Sequence, residues 1–150
     1  MPNTQAGSII SPRVLANNFT VTNSTTLVNI TNMTLDVIAG LTYRFRFRGT
    51  TLLVSAAGEK WDVGGTCTAT AINYSIVSIS NTGTVPIQVI STSLNTSGAN
   101  TGYTGSIVVI EGAITVNLGG TLTIRFAQSV ANASPCQVNN DASFEIIQTE

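Results

Sequence analysis

Seven carboxylates, two cysteines, one lysine and five arginines carry nearly all the ionisable chemistry of this 150-residue chain, which has no histidine. Without an imidazole there is no Ser–His or Cys–His pair, and no side chain whose ordinary pKa makes a proton shuttle near neutrality. Two carboxylates could still cleave a glycosidic bond. Of Asp36, Asp62, Asp141, Glu59, Glu111, Glu145 and Glu150, only Glu59 and Asp62 flank an aromatic sugar platform, Trp61. The run from Gly58 to Gly65 is therefore a candidate ligand loop, with Tyr103 beside the polar stretch 95–102 as a second contact. The competing reading makes Trp61 a cap on one end of the core, with Lys60 and Asp62 solvated beside it. Asn139, Asn140 and Asp141 offer oxygen donors of the kind calcium takes. One carboxylate in an ordinary turn sequence is a thin case, and neither a metal nor a cofactor is expected. The chain reads as a non-enzyme.

The arginines are more informative. Arg44, Arg46 and Arg48 alternate with Tyr43, Phe45 and Phe47. Period two places all three guanidinium groups on one face of one strand. Three like charges in a row call for an anionic answer, either from Glu111 and Glu145 on other strands or from a docking partner. Cys67 and Cys136 could form one bridge, or both could be small buried hydrophobes.

The elements that position these residues follow from composition and period. Thr, Ser and Asn together make up 51 residues. Thr favours pleated strands, and Asn and Ser favour the turns between them. Hydrophobic residues reach 43%, enough for a core, whereas charged residues are only 9%, against about 25% in an average domain. So neutral an exterior is more natural when sister subunits cover part of it. A net charge of −1 gives no electrostatic case for nucleic acid. No run approaches the ~18 apolar residues of a membrane-spanning helix, so no membrane insertion is expected. The N-terminal MPNTQAGSIISPRV lacks the basic start and apolar run of a signal peptide. The seven Asn-X-Ser/Thr triplets, at Asn18, Asn23, Asn29, Asn32, Asn73, Asn95 and Asn132, accordingly read as composition rather than as glycosylation sites.

Residues 1–20 are irregular, with apolar pairs at Ile9-Ile10 and Val14-Leu15. They read as an extended N-terminal arm that either docks on a partner or is a loosely held terminus. Residues 21–150 read as one domain. Alternation recurs at Leu41 to Phe47, Val85 to Val89, Ile114 to Leu118 and Leu122 to Phe126, with Gly119-Gly120 reading as a tight hairpin between the last two. No window carries a helical stripe. The turn spacing predicts an all-β, jelly-roll-like sandwich of about eight to ten strands. Two strands are apolar on both faces: Ile107 to Ile110, and Ile72 through Tyr74, Ile76 and Val77 to Ile79. A strand buried on both faces needs cover on both. A two-layer sandwich leaves the outer cover to a sister subunit or to a long loop such as 49–65. Val77, Ile79, Ile107 and Val109 are thus the expected subunit interface.

Four segments, VIAGLTYRFRF (37–47), GGTCTATAINYSI (64–76), GGTLTIRFAQ (119–128) and DASFEIIQTE (141–150), resemble the β-sandwich domains of tailed-bacteriophage virion proteins. Such domains occur in head decoration (cement) proteins and in tail-fibre modules, and the arrangement also resembles the trimeric TNF-like jelly roll. The resemblance implies a non-enzymatic homotrimer on the capsid surface, made in the host cytoplasm, with the major capsid protein or another virion protein as partner. Tyr43, Phe45, Phe47, Phe126 and Phe144 would then pack the core or the threefold axis, Phe45 and Phe47 joining the interface. Ile9, Ile10, Val14 and Leu15 in the arm, with Arg44, Arg46 and Arg48, would dock on the capsid. The alternative is a fibre-tip module that recognises a host glycan through Trp61 and Tyr103.

Overall fold

Alternation along residues 42–52 decides the architecture, because one set of side chains is fully buried while the other faces out. The computed structural model describes residues 9–53, 56–80, 86–96, 100–101 and 105–149. Among these it forms twelve strands and no helix: β1 (Ile9–Val14), β2 (Phe19–Val21), β3 (Val28–Val37), β4 (Thr42–Leu52), β5 (Glu59–Gly65), β6 (Thr68–Ser80), β7 (Ile87–Ser91), β8 (Asn100–Thr101), β9 (Gly105–Leu118), β10 (Gly120–Gln128), β11 (Cys136–Val138) and β12 (Ser143–Gln148). They make two antiparallel sheets. The larger has eight strands in the order β1-β12-β4-β9-β6-β7, with β11 and β2 continuing beside β4. The smaller runs β3-β10-β5-β8. Strands β1, β12, β4 and β9 in one sheet face β3, β10, β5 and β8 in the other, and the chain changes sheet between successive members of this set except from β5 to β8, which pair in the smaller sheet. That is jelly-roll order. The β6–β7 hairpin extends the larger sheet beyond it.

The core lies between the sheets. Tyr43, Phe45 and Phe47 from β4, Val108, Ile110 and Ile114 from β9, and Phe144 and Ile146 from β12 meet Trp61, Val63, Leu122, Ile124 and Phe126 from the smaller sheet. Trp61 is fully buried, its ring centroid 5.4 Å from that of Phe47 and 4.7 Å from that of Phe126. These tilted contacts bridge the two layers at spacings that favour aromatic pairs.

The structure corrects four expectations. Residues 58–65 do not form an exposed loop: β5 is a central strand of the smaller sheet, and Trp61 alternates into the core. Phe45 and Phe47 are likewise buried within the protomer and cannot contribute to a subunit interface. Gly119-Gly120 is no hairpin, since β9 and β10 lie in different sheets. It is a corner, and neither glycine has a positive φ. A Cβ on Gly120 would stand 2.7 Å from Thr66 Oγ1 and 2.8 Å from Cys67 N, so close backbone approach, not turn geometry, demands glycine there. Finally, the described part of the expected arm, residues 9–20, is largely sheet. Ile9 and Ile10 hold register opposite Ile147 and Ile146, β2 pairs with β11, and Leu15 enters the core with its N–H donating to Ala142 O at 2.9 Å. Pro12 sits at a register shift on this edge, where its missing donor costs nothing. Tyr103 lies outside the described residues. Cys67 and Cys136 are both buried free thiols, and burial pushes the Cys67 pKa up.

If Trp61 bridges the layers as described, Trp61→Ala should cost about 3–5 kcal/mol in urea unfolding. Trp61→Phe should cost under about 1.5 kcal/mol, because the buried indole Nε1 has no hydrogen-bond partner to lose. Losses within about 0.5 kcal/mol for both would mark an exposed loop residue instead.

Candidate docking surface

Because β4 buries its odd-numbered residues from Tyr43 to Thr51, Arg44, Arg46 and Arg48 all emerge on the outer face of the larger sheet. Strand register then fixes their neighbours, since directly paired residues share a face. Arg46 lies between Glu145 on β12 and Glu111 on β9. Its Nε is 3.8 Å from Glu111 Oε2, with both side chains more than half exposed. Arg44 pairs with Ala113 and Ile147, and Arg48 with Val109 and Ser143. Neither forms an ion pair among the described residues. Glu111 therefore answers the central arginine, Glu145 stands beside it without an ion pair, and the outer two guanidinium groups are left unpaired among the described residues.

Beside this column lies an apolar area. Ile107 pairs with Ile79 and Val109 with Val77, so all four expected interface residues stand together on the outer face. Ile79 is 39% and Ile107 37% exposed, and Val77 and Val109 are partly buried by their neighbours. Sequence reasoning missed two further members. Leu52, on the arginine parity of β4, is 60% exposed, and Ile90 on β7, opposite Ser75, is 67% exposed. Leu52 could have been found by extending the alternation of β4; Ile90 required knowing which strand pairs with β6. Val14, opposite Ser143, completes the set. Nine large hydrophobic residues are exposed among the described residues, and five of them (Val14, Leu52, Ile79, Ile90 and Ile107) share this face. Small side chains at Ser75 and Ala113 leave a shallow open depression of about 600 Å³, bordered by Arg44, Asn73, Glu111 and Ile90.

The other candidates are committed to the fold. Asp62 accepts from Arg125 through both oxygens, with Nε to Oδ1 at 2.7 Å and Nη2 to Oδ2 closer still. Its side chain is fully buried and that of Arg125 mostly so. The carboxylate raises the Arg125 pKa further, against the opposing effect of burial. No local signal announces this pair, which only the β5–β10 register brings together. Glu59, also fully buried, accepts from Ser78 Oγ at 2.9 Å and Ser106 Oγ at 3.0 Å at one end of the core. Asp141 accepts from Thr50 N and Oγ1, and Asn139 Nδ2 donates to the same hydroxyl. That turn thus locks onto β4. Among the described residues no three potential metal ligands of the His, Cys, Asp and Glu types come together.

No protein-family model matches the chain, and no curated protein matches it. Among solved structures, the VP2 subviral particle of infectious bursal disease virus aligns with a TM-score of 0.25 and 14% identity, over 98% of this chain and 43% of that one. The T13 particle of the same virus gives 0.25 and 14%, over 98% and 40%. A family 6 carbohydrate-binding module gives 0.20 and 19%, over 97% and 95%. The chain spans less than half the length of the viral chains. TM-scores this low leave its fold and role to be argued from its own residues.

Two substitutions separate the structural pair from the surface pair. Asp62→Ala strands a mostly buried guanidinium and should cost about 3–5 kcal/mol in denaturant unfolding. Glu111→Ala removes only an exposed contact and should cost about 0–1 kcal/mol. The reverse order would contradict the assigned roles.

Proposed function

We propose that this chain is a non-enzymatic structural subunit that acts by assembly through the outer face of its larger sheet. The observation carrying this reading is that four exposed large hydrophobics, Leu52, Ile79, Ile90 and Ile107, lie around Val77 and Val109 on that face, beside two arginines that form no ion pair among the described residues. Contiguous apolar surface bordered by polar groups is what interaction sites present and what isolated monomers avoid. The finer reading is a homotrimeric capsid decoration protein on the virion surface that holds neighbouring major capsid subunits together. The resemblance of residues 37–47, 64–76, 119–128 and 141–150 to phage virion β-sandwiches supports it. Binding would then be the whole mechanism, with modest contacts multiplied by symmetry into high avidity. Arg44 and Arg48 would meet carboxylates of the capsid, while Val77, Ile79, Ile107 and Val109 meet sister subunits. The N-terminal segment keeps a smaller part in this reading, since Leu15 is core and only Val14 of the described side chains among its expected docking residues is exposed.

A glycan-binding fibre tip has less support now that Trp61 is buried. What favours it is the depression beside Arg44, where Asn73 and Ser75 offer an amide and a hydroxyl.

Purified protein mixed with decoration-free heads or with host cells should sediment with the heads. Arg44→Glu/Arg48→Glu should weaken that binding at least tenfold (~1.4 kcal/mol), because like charges across an interface repel. Sedimentation with cells alone would overturn the decoration reading in favour of the fibre tip. Point substitutions are the right probe here, because deleting residues 1–20 would remove β1, most of β2 and a core leucine.

A further inference from the structure

Exposed strand edges invite pairing with other chains, and proteins blunt them with bulges, charges, proline or shortness. Four of the five edges described here carry such a device. Strand β1 has Pro12, Arg13 and a register shift. Strand β3 has a register shift against β10, with Asn32 at φ 65° inside it. Strands β2 and β8 are three and two residues long. The fifth, β7, is different. Its sequence IQVIS has no charge and no proline, and its five residues pair with β6 in unbroken register. Among the described residues nothing hydrogen-bonds to its other side as a strand. Its outward side chains, Gln88 and Ile90, are exposed.

We propose that the free backbone edge of β7 is a second assembly site, sharing only Ile90 with the outer face, where it pairs antiparallel with β7 of another copy about a two-fold axis. The strand is its own best complement. Only a two-fold through Val89 pairs all five residues, setting Val89 against Val89, Ile87 against Ser91 and Gln88 against Ile90. No like charges meet in that register, and the ladder left open by β6 is closed on both copies at once. The two larger sheets become one continuous sheet, and the apolar areas around Ile79 and Ile90 adjoin across the axis. A two-fold contact of this kind is self-limiting. It doubles whatever unit the outer face builds, and stands whether or not that unit is a virion trimer.

Sedimentation velocity over rising concentration should show the smallest assembled unit doubling in mass. Gln88→Lys/Ile90→Lys sets lysine against lysine at both mixed pairs, and should weaken the doubling by tenfold or more. Gln88→Lys/Ile90→Glu sets lysine against glutamate twice, and should restore it. Both variants alter only exposed side chains, both remove Ile90 from the outer face alike so that only their difference reports on β7 pairing, and both should unfold at the wild-type temperature. If the two variants associate alike, or if the wild-type protein never doubles, the proposal fails. Loss of the smaller unit with doubling intact would instead count against the outer-face reading.

Discussion

Trp61 holds the two layers at their spacing. Its ring lies between Phe47 of the larger sheet and Phe126 of the smaller one, fully buried and within aromatic contact of both. Once those three rings meet, the parity of β4, β5 and β10 is fixed, because a strand that turns one residue inward must turn its neighbours outward. Everything described on the outer face follows from that. The inward set of β4 is Tyr43, Phe45 and Phe47, so the outward set must be Arg44, Arg46 and Arg48. Registered against it, β9 and β6 must present Ile107, Val109, Ile79 and Val77. The candidate docking surface is the remainder left when the core has taken its share.

The hydroxyl and amide excess serves the same framework. Thr34 and Thr123, Thr42 and Thr115, and Thr51 and Ser106 are direct cross-strand partners whose hydroxyls hydrogen-bond at 2.7, 3.2 and 2.8 Å. Asn23, Asn32 and Asn95 supply left-handed backbone at 52°, 65° and 59°, a conformation asparagine tolerates better than most residues. All three begin glycosylation-type triplets, and the backbone accounts for them without a glycan. A chain that pins its sheets with neutral pairs has little need of surface charge, which is why its few ion pairs stand out.

Period two was legible wherever it ran along one strand. The arginine face and the doubly apolar β6 and β9 follow from alternation alone. What was not legible depends on which strand pairs with which. Gly119-Gly120 looks the same whether the next strand folds back beside β9 or crosses to the other sheet, because the deciding contact is with Thr66 and Cys67, over fifty residues away. Trp61 was left open between a ligand loop and a core position for a related reason: the mixed run GEKWDVGG has no clear alternation, since the buried Glu59 and Asp62 are polar. Only their distant partners, Ser78, Ser106 and Arg125, make burial of those carboxylates possible. The edge strand β1 was hidden in the same way, its pairing residues lying at the far end of the chain in β12.

The central claim is that the outer face of the larger sheet is covered by sister subunits in the working protein. The most direct measurement is the solution mass of the purified protein by light scattering, compared with that of Ile79→Lys/Ile107→Lys, which changes two exposed side chains on that face. At concentrations below the onset of β7 pairing, the wild-type protein should have three times the mass of the 15.6 kDa chain, and the variant should be a folded monomer with unchanged thermal unfolding of the protomer. A wild-type protein that stays monomeric at micromolar concentration, or a variant that assembles as the wild type does, would contradict the account.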